Sequence, residues 1–111
     1  MTISVRSASP SDAEFLAHGN AAMALETEHK QLDAGVVDAG VRAALGDATK
    51  GRYFIAERAG ERVGQLMFTY EWSDWRNGMF WWIQSVYVLP QARREGVFRA
   101  LFRHVEQLAA G

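Results

Sequence analysis

The sequence contains no cysteine and only two prolines in 111 residues. Without cysteine the chain can form no disulfide, no thiolate nucleophile and no cysteine-ligated zinc site. It also contains no apolar run close to the roughly 20 residues of a membrane-spanning helix. Residues 1–6 carry neither the basic start nor the apolar stretch of a signal peptide. We therefore expect a cytoplasmic protein that does not bind membranes.

Charged residues of the two signs nearly balance, but their distribution is uneven. The net charge is −1, whereas residues 91–104 contain four arginines and one glutamate. This local excess of positive charge favours a small anionic ligand. The basic patch is too small for a nucleic acid, which we exclude as a partner. Hydrophobic residues make up 49% of the chain, enough to build the core of a single domain over residues 1–111.

Apolar periodicity and turn residues predict the order strand, helix, helix, three antiparallel strands, helix. This order indicates a mixed α+β fold in which helices flank a central, mostly antiparallel sheet. We expect Gly19 to be a close-packing point of the first helix, and the last strand, which is apolar on both faces, to be central and well covered. The predicted strands are Ile3–Arg6, Arg52–Arg58, Arg62–Trp72 and Met79–Leu89, and the helices run from Pro10 to about Glu26, through Val37 to Gly46, and from Val97 to the C-terminus.

Residues 85–101 carry the clearest chemical signal. A buried strand ends at Pro90, a polar turn follows, and the turn opens a helix. The first turn of a helix has backbone N–H groups without helical partners, and together with the helix dipole these groups form an anion site. Gly96 lets a phosphate approach the backbone closely. We predict that this turn binds a pyrophosphate, with added positive charge from Arg93, Arg94 and Arg99.

In this segment the sequence resembles the GNAT superfamily of N-acetyltransferases. Residues 86–90, Val-Tyr-Val-Leu-Pro, are similar to the family's strand, and residues 93–98, Arg-Arg-Glu-Gly-Val-Phe, to its acetyl-CoA signature, Arg/Gln-x-x-Gly-x-Gly/Ala. Arg93 and Gly96 match that signature, whereas Phe98 stands where the family has a small residue. The predicted order of helices and strands is also similar to the family along the whole chain.

The resemblance implies a GNAT-like fold and an N-acetyltransferase. Such an enzyme transfers an acetyl group from acetyl-CoA directly to a primary amine of a small molecule or a peptide. It also implies that the backbone at Val86 and Val88 pairs with the pantetheine arm. The residues that we expect to bind the cofactor are Val86, Tyr87, Val88, Arg93, Arg94, Glu95, Gly96, Val97, Phe98 and Arg99.

A base must remove a proton from the acceptor ammonium before it can attack. The resemblance places the acceptor site beside the loop between the first two helices, where Glu26 and Glu28 are expected. Glu71 and Asp74, near the end of the preceding long strand, are further candidates. The family often has a carboxylate on the strand before the motif, but Gln84-Ser85 provides no base. An ordinary solvated loop is the alternative interpretation of Glu26 and Glu28.

Two other groups of residues have simpler interpretations. The three histidines stand alone, without the spacing of metal ligands, and we predict no metal site. Five aromatic residues, Trp72, Trp75, Phe80, Trp81 and Trp82, are close together in the sequence. We expect them to pack in the core and in the hairpin. The alternative is that one or two line an acceptor pocket, where an aromatic ring can hold a cation.

The resemblance further implies a strand, a helix and a hairpin after the cofactor helix, whereas this chain ends at Gly111. No residue here matches the family tyrosine that protonates the departing thiolate. Without a following strand, the strand from Phe80 to Leu89 would expose an apolar edge. We therefore expect a homo-oligomer formed through that edge. A coenzyme A-binding or interaction module with little or no turnover is the alternative function.

Overall fold

The computed structural model describes residues 2–110, and its elements follow the predicted order. The strands are β1 (Ile3–Ser7), β2 (Arg52–Arg58), β3 (Glu61–Ser73) and β4 (Gly78–Val88), and the helices are α1 (Ala13–Glu28), α2 (Ala34–Gly46) and α3 (Val97–Ala110). The four strands form one antiparallel sheet in the order β1-β2-β3-β4. The predicted α+β fold with a mostly antiparallel sheet is therefore confirmed. None of the helices in this part of the chain has the length and apolar character of a membrane crossing.

The sheet separates two layers of helix. On one face, here called the α3 face, Phe54 and Leu66 pack with Val97 and Leu101 of α3. On the other, the α1–α2 face, Ile55 and neighbouring side chains pack against the first two helices. Because successive side chains of a strand point to opposite faces, β2 contributes to both layers, and its residues 53–56 are buried.

α1 begins at a capping arrangement that also ties it to the sheet. The backbone N–H of Ser9 donates to Asp12 Oδ2 at 2.8 Å. Asp12 is 1% exposed, and it also accepts from Arg6 at 2.7 and 2.9 Å and from Arg62 at 3.2 Å. The helical segment begins where the sequence predicts it, although residues 10–12 form a 3₁₀ turn before the α-helix. The carboxylate thereby joins the start of α1 to β1 and β3.

β4 is an edge strand within residues 2–110, so the prediction of a central, covered strand is wrong. Its pairing with β3 shifts at Gln84, an extra residue between the pairs Met67–Ser85 and Phe68–Ile83. One extra residue reverses the alternation of side chains along the strand. On β4 the α3 face is formed by odd-numbered residues before the bulge and by even-numbered residues after it. For this reason the sequence shows apolar residues at both odd and even positions.

Most of the tryptophans are exposed. Trp81 stacks on Phe68, with ring centroids 4.4 Å apart. In contrast, Trp72, Trp75 and Trp82 are 56%, 95% and 52% exposed. The prediction of packing in the core and in the hairpin therefore holds for Trp81, whereas the other three tryptophans lie in or beside the hairpin with more than half of their surface exposed.

The apolar stripe of α3 is also only half covered. Val97, Leu101 and Val105 are buried against the sheet. Phe98 and Phe102 stack on each other with centroids 6.1 Å apart and stay exposed, as does Leu108. The predicted single stripe thus divides into a buried row and an exposed row beside β4.

Candidate functional site

A cavity of about 760 Å³ lies where the C-terminal half of β4, the start of α3 and the last turns of α1 meet. This volume falls in the range of small-molecule and cofactor sites. The cavity brings together all the residues predicted to bind the cofactor except Glu95. Its lining is Met23, Glu26, Thr27, Val86, Tyr87, Val88, Ala92, Arg93, Arg94, Gly96, Val97, Phe98 and Arg99.

The turn between β4 and α3 has the geometry of an anion site. A 3₁₀ turn at Pro90–Ala92 ends the strand, and α3 begins at Val97 in the wall of the cavity. Gly96 has φ 85° and no atom within 4 Å of the position a Cβ would take. The backbone conformation therefore favours glycine, and the space above it is open. The start of α3 presents backbone donors without helical partners to this side of the molecule.

Glu95 is the one predicted cofactor residue outside the cavity lining. Its carboxylate accepts a hydrogen bond from the guanidinium of Arg58 on β2. A carboxylate in the motif would repel a phosphate, and the ion pair with Arg58 offsets its charge. The pair also fixes the turn to the sheet.

Three side chains meet at the opening of the cavity. Arg93 Nη2 donates to Glu26 Oε1 at 2.8 Å, and the Tyr87 hydroxyl donates to Glu26 Oε2 at 2.5 Å. Arg93 Nε also donates to the backbone carbonyl oxygen of Val88 at 3.0 Å, with its guanidinium 5.4 Å from the centre of the Tyr87 ring. Glu26 thus links the end of α1 to the strand and to the first residue of the signature.

These contacts shift the pKa values of the three groups. The hydrogen bond from Tyr87, followed by that from Arg93, lowers the pKa of Glu26 below its usual value. Burial, followed by the contact with Glu26, raises the pKa of Tyr87. The hydrogen bond with Glu26 is the main cause of the raised pKa of Arg93. In this arrangement Glu26 is a charged, weakly basic carboxylate and Tyr87 keeps its proton.

The three predicted catalytic carboxylates do not come together. Glu26 and Glu28 belong to the last turn of α1 rather than to a loop, because the helix runs to Glu28 and ends at His29 in the left-handed conformation. Glu26 lines the cavity, whereas Glu28 does not. Glu71 lies far along β3, and its Oε1 accepts a hydrogen bond from Trp82 Nε1 at 2.7 Å.

Three lining residues were not predicted, namely Met23, Thr27 and Ala92. Met23 lies three residues before Glu26 and four before Thr27, and residues at these spacings are neighbours on a helix. That spacing is present in the sequence, but it becomes informative only once α1 is known to continue past Glu26. Ala92 is fully buried in the 3₁₀ turn beneath the motif.

A polar group also lies in the interior behind the cavity. Gln65 is 1% exposed and pairs across the sheet with Tyr87. Its Nε2 donates to the Leu16 carbonyl oxygen and to Asn20 Oδ1, both at 3.1 Å. Asn20 in turn donates to the Tyr53 hydroxyl at 3.0 Å. This chain of bonds fixes α1, and with it the helix turn that carries Glu26, against the sheet.

Metal ligation is not supported by the arrangement of side chains. Across residues 2–110, no three histidine, aspartate or glutamate side chains are grouped as a metal site would need. The cavity instead combines an arginine-rich, helix-starting end with walls that include Met23, Val86 and Phe98. Such a lining fits a molecule with an anionic head and an apolar arm.

The comparisons with known proteins agree on one family. The acetyltransferase (GNAT) family model matches residues 20–111. A possible acetyltransferase from Clostridium difficile 630 is 45% identical, with a TM-score of 0.91 over 97% of this chain and 71% of that chain. Among curated proteins, no sequence matches significantly.

Two further solved structures share the fold. One is an integron cassette protein from the mobile metagenome of Cole Harbour Salt Marsh, 24% identical, with a TM-score of 0.88 over 96% of this chain and 69% of that chain. The other is a ribosomal-protein-alanine N-acetyltransferase from Brucella melitensis biovar Abortus 2308. It is 18% identical, with a TM-score of 0.78 over 98% of this chain and 72% of that chain.

Proposed function

The chain belongs to the acetyltransferase (GNAT) family, and we propose that it transfers an acetyl group from acetyl-CoA to a primary amine of a small molecule or a peptide. The observation that carries the proposal is the cavity of about 760 Å³ walled by the acetyl-CoA signature. Family membership supports acyl transfer in general, and the lining of the cavity supports coenzyme A as the carrier. We place this activity in the cytoplasm, in line with the composition of the chain.

The residues around the cavity fit coenzyme A in two parts. The start of α3 and the side chains of Arg93, Arg94 and Arg99 would hold the pyrophosphate. Val86 and Val88, on the open edge of β4, would bind the pantetheine arm. When bound, acetyl-CoA supplies the activated acetyl thioester.

The proton-transfer groups on this side of the chain are Glu26 and Tyr87. Arg93 can pair with Glu26 or with a pyrophosphate, and pairing with the phosphate would leave Glu26 with one donor fewer. The pKa of Glu26 would then return toward its usual value, which makes it a better base toward an acceptor ammonium, directly or through water. We assign this role to Glu26 because Glu28 and Glu71 lie outside the cavity lining.

A coenzyme A-binding module with little turnover is the second candidate. It is favoured by the bond between Glu26 and Tyr87, which engages both proton-transfer groups with each other. An acetyl-transfer assay over a panel of amines, with release of free thiol as the readout, distinguishes the two functions. An enzyme releases thiol in step with the amine, whereas a binding module does not.

Calorimetric titration with acetyl-CoA tests the cofactor site. We expect Gly96→Glu to weaken binding at least 100-fold, because it places a carboxylate in the phosphate site and a side chain at φ 85°. Gly40→Glu makes the same change of charge in α2, at a position with nothing within 4 Å of a new Cβ, and should leave the affinity unchanged. Circular dichroism checks that both variants fold. Equal affinities for the two variants would contradict the site.

The competition for Arg93 has its own test. We expect Glu26→Gln to bind acetyl-CoA about two- to five-fold more tightly, the value of an exposed ion pair, because Arg93 is then free to bind phosphate. The same variant should acetylate amines more slowly. Glu28→Gln is the matched control, two residues further along α1 but outside the cavity lining. An unchanged affinity in Glu26→Gln would show that the Glu26–Arg93 pair does not compete with the cofactor.

A further inference from the structure

An aromatic and acidic cluster lies on β3 and β4, apart from the cavity. It consists of Glu71, Phe80 and Trp82 and is called the Trp82 cluster below. The indole Nε1 of Trp82 donates to Glu71 Oε1 at 2.7 Å, and the rings of Phe80 and Trp82 meet edge to face at 6.4 Å. The hydrogen bond holds the indole in place beside a carboxylate. The second carboxylate oxygen, Glu71 Oε2, is not needed for that bond.

The cluster shares a face of the sheet with Glu26 and Tyr87. Trp82 pairs with Thr69 and Phe80 pairs with Glu71, and residues opposite each other in antiparallel strands point to the same face. Met67, two residues before Thr69 on β3, packs against the α1–α2 layer, which identifies that face. Beyond the helices this face is open, and Trp82 and Phe80 are 52% and 40% exposed.

The position along the strand relates the cluster to the cavity. Tyr87 lines the cavity on this face and pairs with Gln65, whereas Trp82 pairs with Thr69, four residues further along β3. At about 3.3 Å per residue the separation is about 13 Å. A molecule of moderate length with one end in the cavity can therefore touch the Trp82 cluster with the other.

We propose that the Trp82 cluster is a binding subsite for a second cationic group of the acceptor amine. This proposal rests on the proposed acetyltransferase function and names its substrate class, an amine that carries another ammonium group some distance from the one acetylated. Aromatic faces attract cations through their quadrupole, and a carboxylate beside them adds a full charge. The Arg76 guanidinium already lies 5.3 Å from the centre of the Phe80 ring, so the groups available to the ligand are the Trp82 ring and the second oxygen of Glu71.

The chemistry separates this subsite from the place of reaction. The attacking nitrogen must be neutral, so a strongly cation-binding group would hinder the reaction if it held that nitrogen. A second ammonium has no such requirement and gains from remaining charged. The cluster therefore contributes to the choice of acceptor and not to proton transfer.

Binding of 1,10-diaminodecane and decylamine, whose extended chains are long enough to reach from the cavity to the cluster, is measured by calorimetry with and without coenzyme A and tests the subsite. The two probes have the same carbon chain and differ in one ammonium group. We expect the diamine to bind about ten-fold more tightly, in line with the worth of a cation–π contact and a carboxylate together. Because the Trp82–Glu71 bond forms without any ligand, the preference should be present in both conditions.

Variants identify the residues responsible. Trp82→Leu and Glu71→Gln should abolish the preference for the diamine, whereas Trp75→Leu, which changes a 95% exposed tryptophan in the nearby turn, should retain it. A catalytic-base role for Glu71 would not alter binding, so loss of preference in Glu71→Gln supports the subsite. No preference in the native chain, or a preference that survives both substitutions, overturns the proposal.

The same titrations separate this proposal from the proposed function. If coenzyme A does not bind but the diamine preference depends on Trp82, the acetyltransferase function fails and the cation subsite stands. If coenzyme A binds and no diamine preference exists, the cofactor site stands and the subsite fails.

Discussion

Asp12 is a buried carboxylate whose charge is part of the fold. The hydrogen bonds from the Arg6 guanidinium, opposed by burial and aided by the Ser9 N–H and by Arg62, keep the pKa of Asp12 well below its ordinary 3.8. The same contact raises the pKa of Arg6. The pKa of Asp12 is lower in the folded than in the unfolded chain. Its charge therefore stabilises the fold fully when the pH is above the pKa of the unfolded chain, and this stabilisation is lost as the pH falls below that pKa.

We expect Asp12→Asn to lower the free energy of unfolding by about 2–3 kcal/mol at pH 7, since it removes a charged acceptor from two arginines. The difference in unfolding free energy between the native protein and this variant should shrink between about pH 5 and pH 3. In that range Asp12 becomes protonated in the unfolded state of the native protein, so its charge no longer favours folding as strongly. Urea unfolding followed by circular dichroism measures both. Asp38→Asn, which breaks an exposed pair with Arg42 at 3.0 Å, should change stability by less than about 0.5 kcal/mol. A deficit that does not vary with pH would contradict this explanation.

Among single residues, the sequence located the signature better than its partners. Arg93 and Gly96 could be assigned because they lie within one short turn, where local spacing decides the geometry. Glu26 is distant from Arg93 in the chain, and its hydrogen bonds with Arg93 and Tyr87 depend on how α1 crosses the sheet. No pattern in the sequence contains that information.

Gly19 in α1 and Gly40 in α2 are helical glycines with opposite surroundings. A Cβ on Gly19 would lie 2.2 Å from Gln65 Oε1, whereas one on Gly40 would meet nothing within 4 Å. Gly19→Ala must therefore displace a buried amide that holds Leu16 and Asn20.

We expect Gly19→Ala to destabilise the protein by about 1–3 kcal/mol, and Gly40→Ala to stabilise it by about 0.5–1 kcal/mol, since alanine is the better helix former. Thermal unfolding midpoints of the two variants measure this difference in sign. If both variants shift the midpoint upward, the tight contact between α1 and β3 is not as described.

Helices and strands were predicted well where local signals mark them. β2 runs from Arg52 to Arg58 as expected. The hairpin between β3 and β4 turns at Asn77, which has a positive φ, as the turn residues there predict. α1 continues past Glu26 to Glu28. Its last residues are polar and interrupt no apolar face, so the apolar periodicity does not show where the helix ends. The bulge at Gln84 depends on the register with β3, a long-range property that the sequence of β4 alone does not reveal.

The molecule has one markedly apolar border, along β4 and the neighbouring flank of α3. Met79, Ile83 and Phe102 are 58%, 39% and 42% exposed there. The outer main-chain groups of an edge strand are a template for another strand, and the first half of β4, before the segment proposed to bind pantetheine, can pair antiparallel with the same segment of a second copy about a two-fold axis. We therefore propose that a second copy of the chain covers this border.

Sedimentation velocity at increasing protein concentration should show a dimer. We expect Ile83→Lys to shift the population to monomer, because a charged side chain on an edge strand opposes pairing. Leu25→Lys changes a 58% exposed leucine at the end of α1 and should leave the association unchanged. A native chain that sediments as a monomer throughout would rule out this assembly.

The extra residue in β4 has a consequence for engineering. Ser85 and Ile83 lie opposite Met67 and Phe68, consecutive residues of β3, with Gln84 between them. Excision of Gln84 would leave Ser85 and Ile83 as direct neighbours that still point to opposite sides, so every other side chain of β4 would keep its present orientation. Only the local curvature of the strand would be lost, whereas excising a residue remote from Gln84 would turn over the side chains between that residue and the bulge.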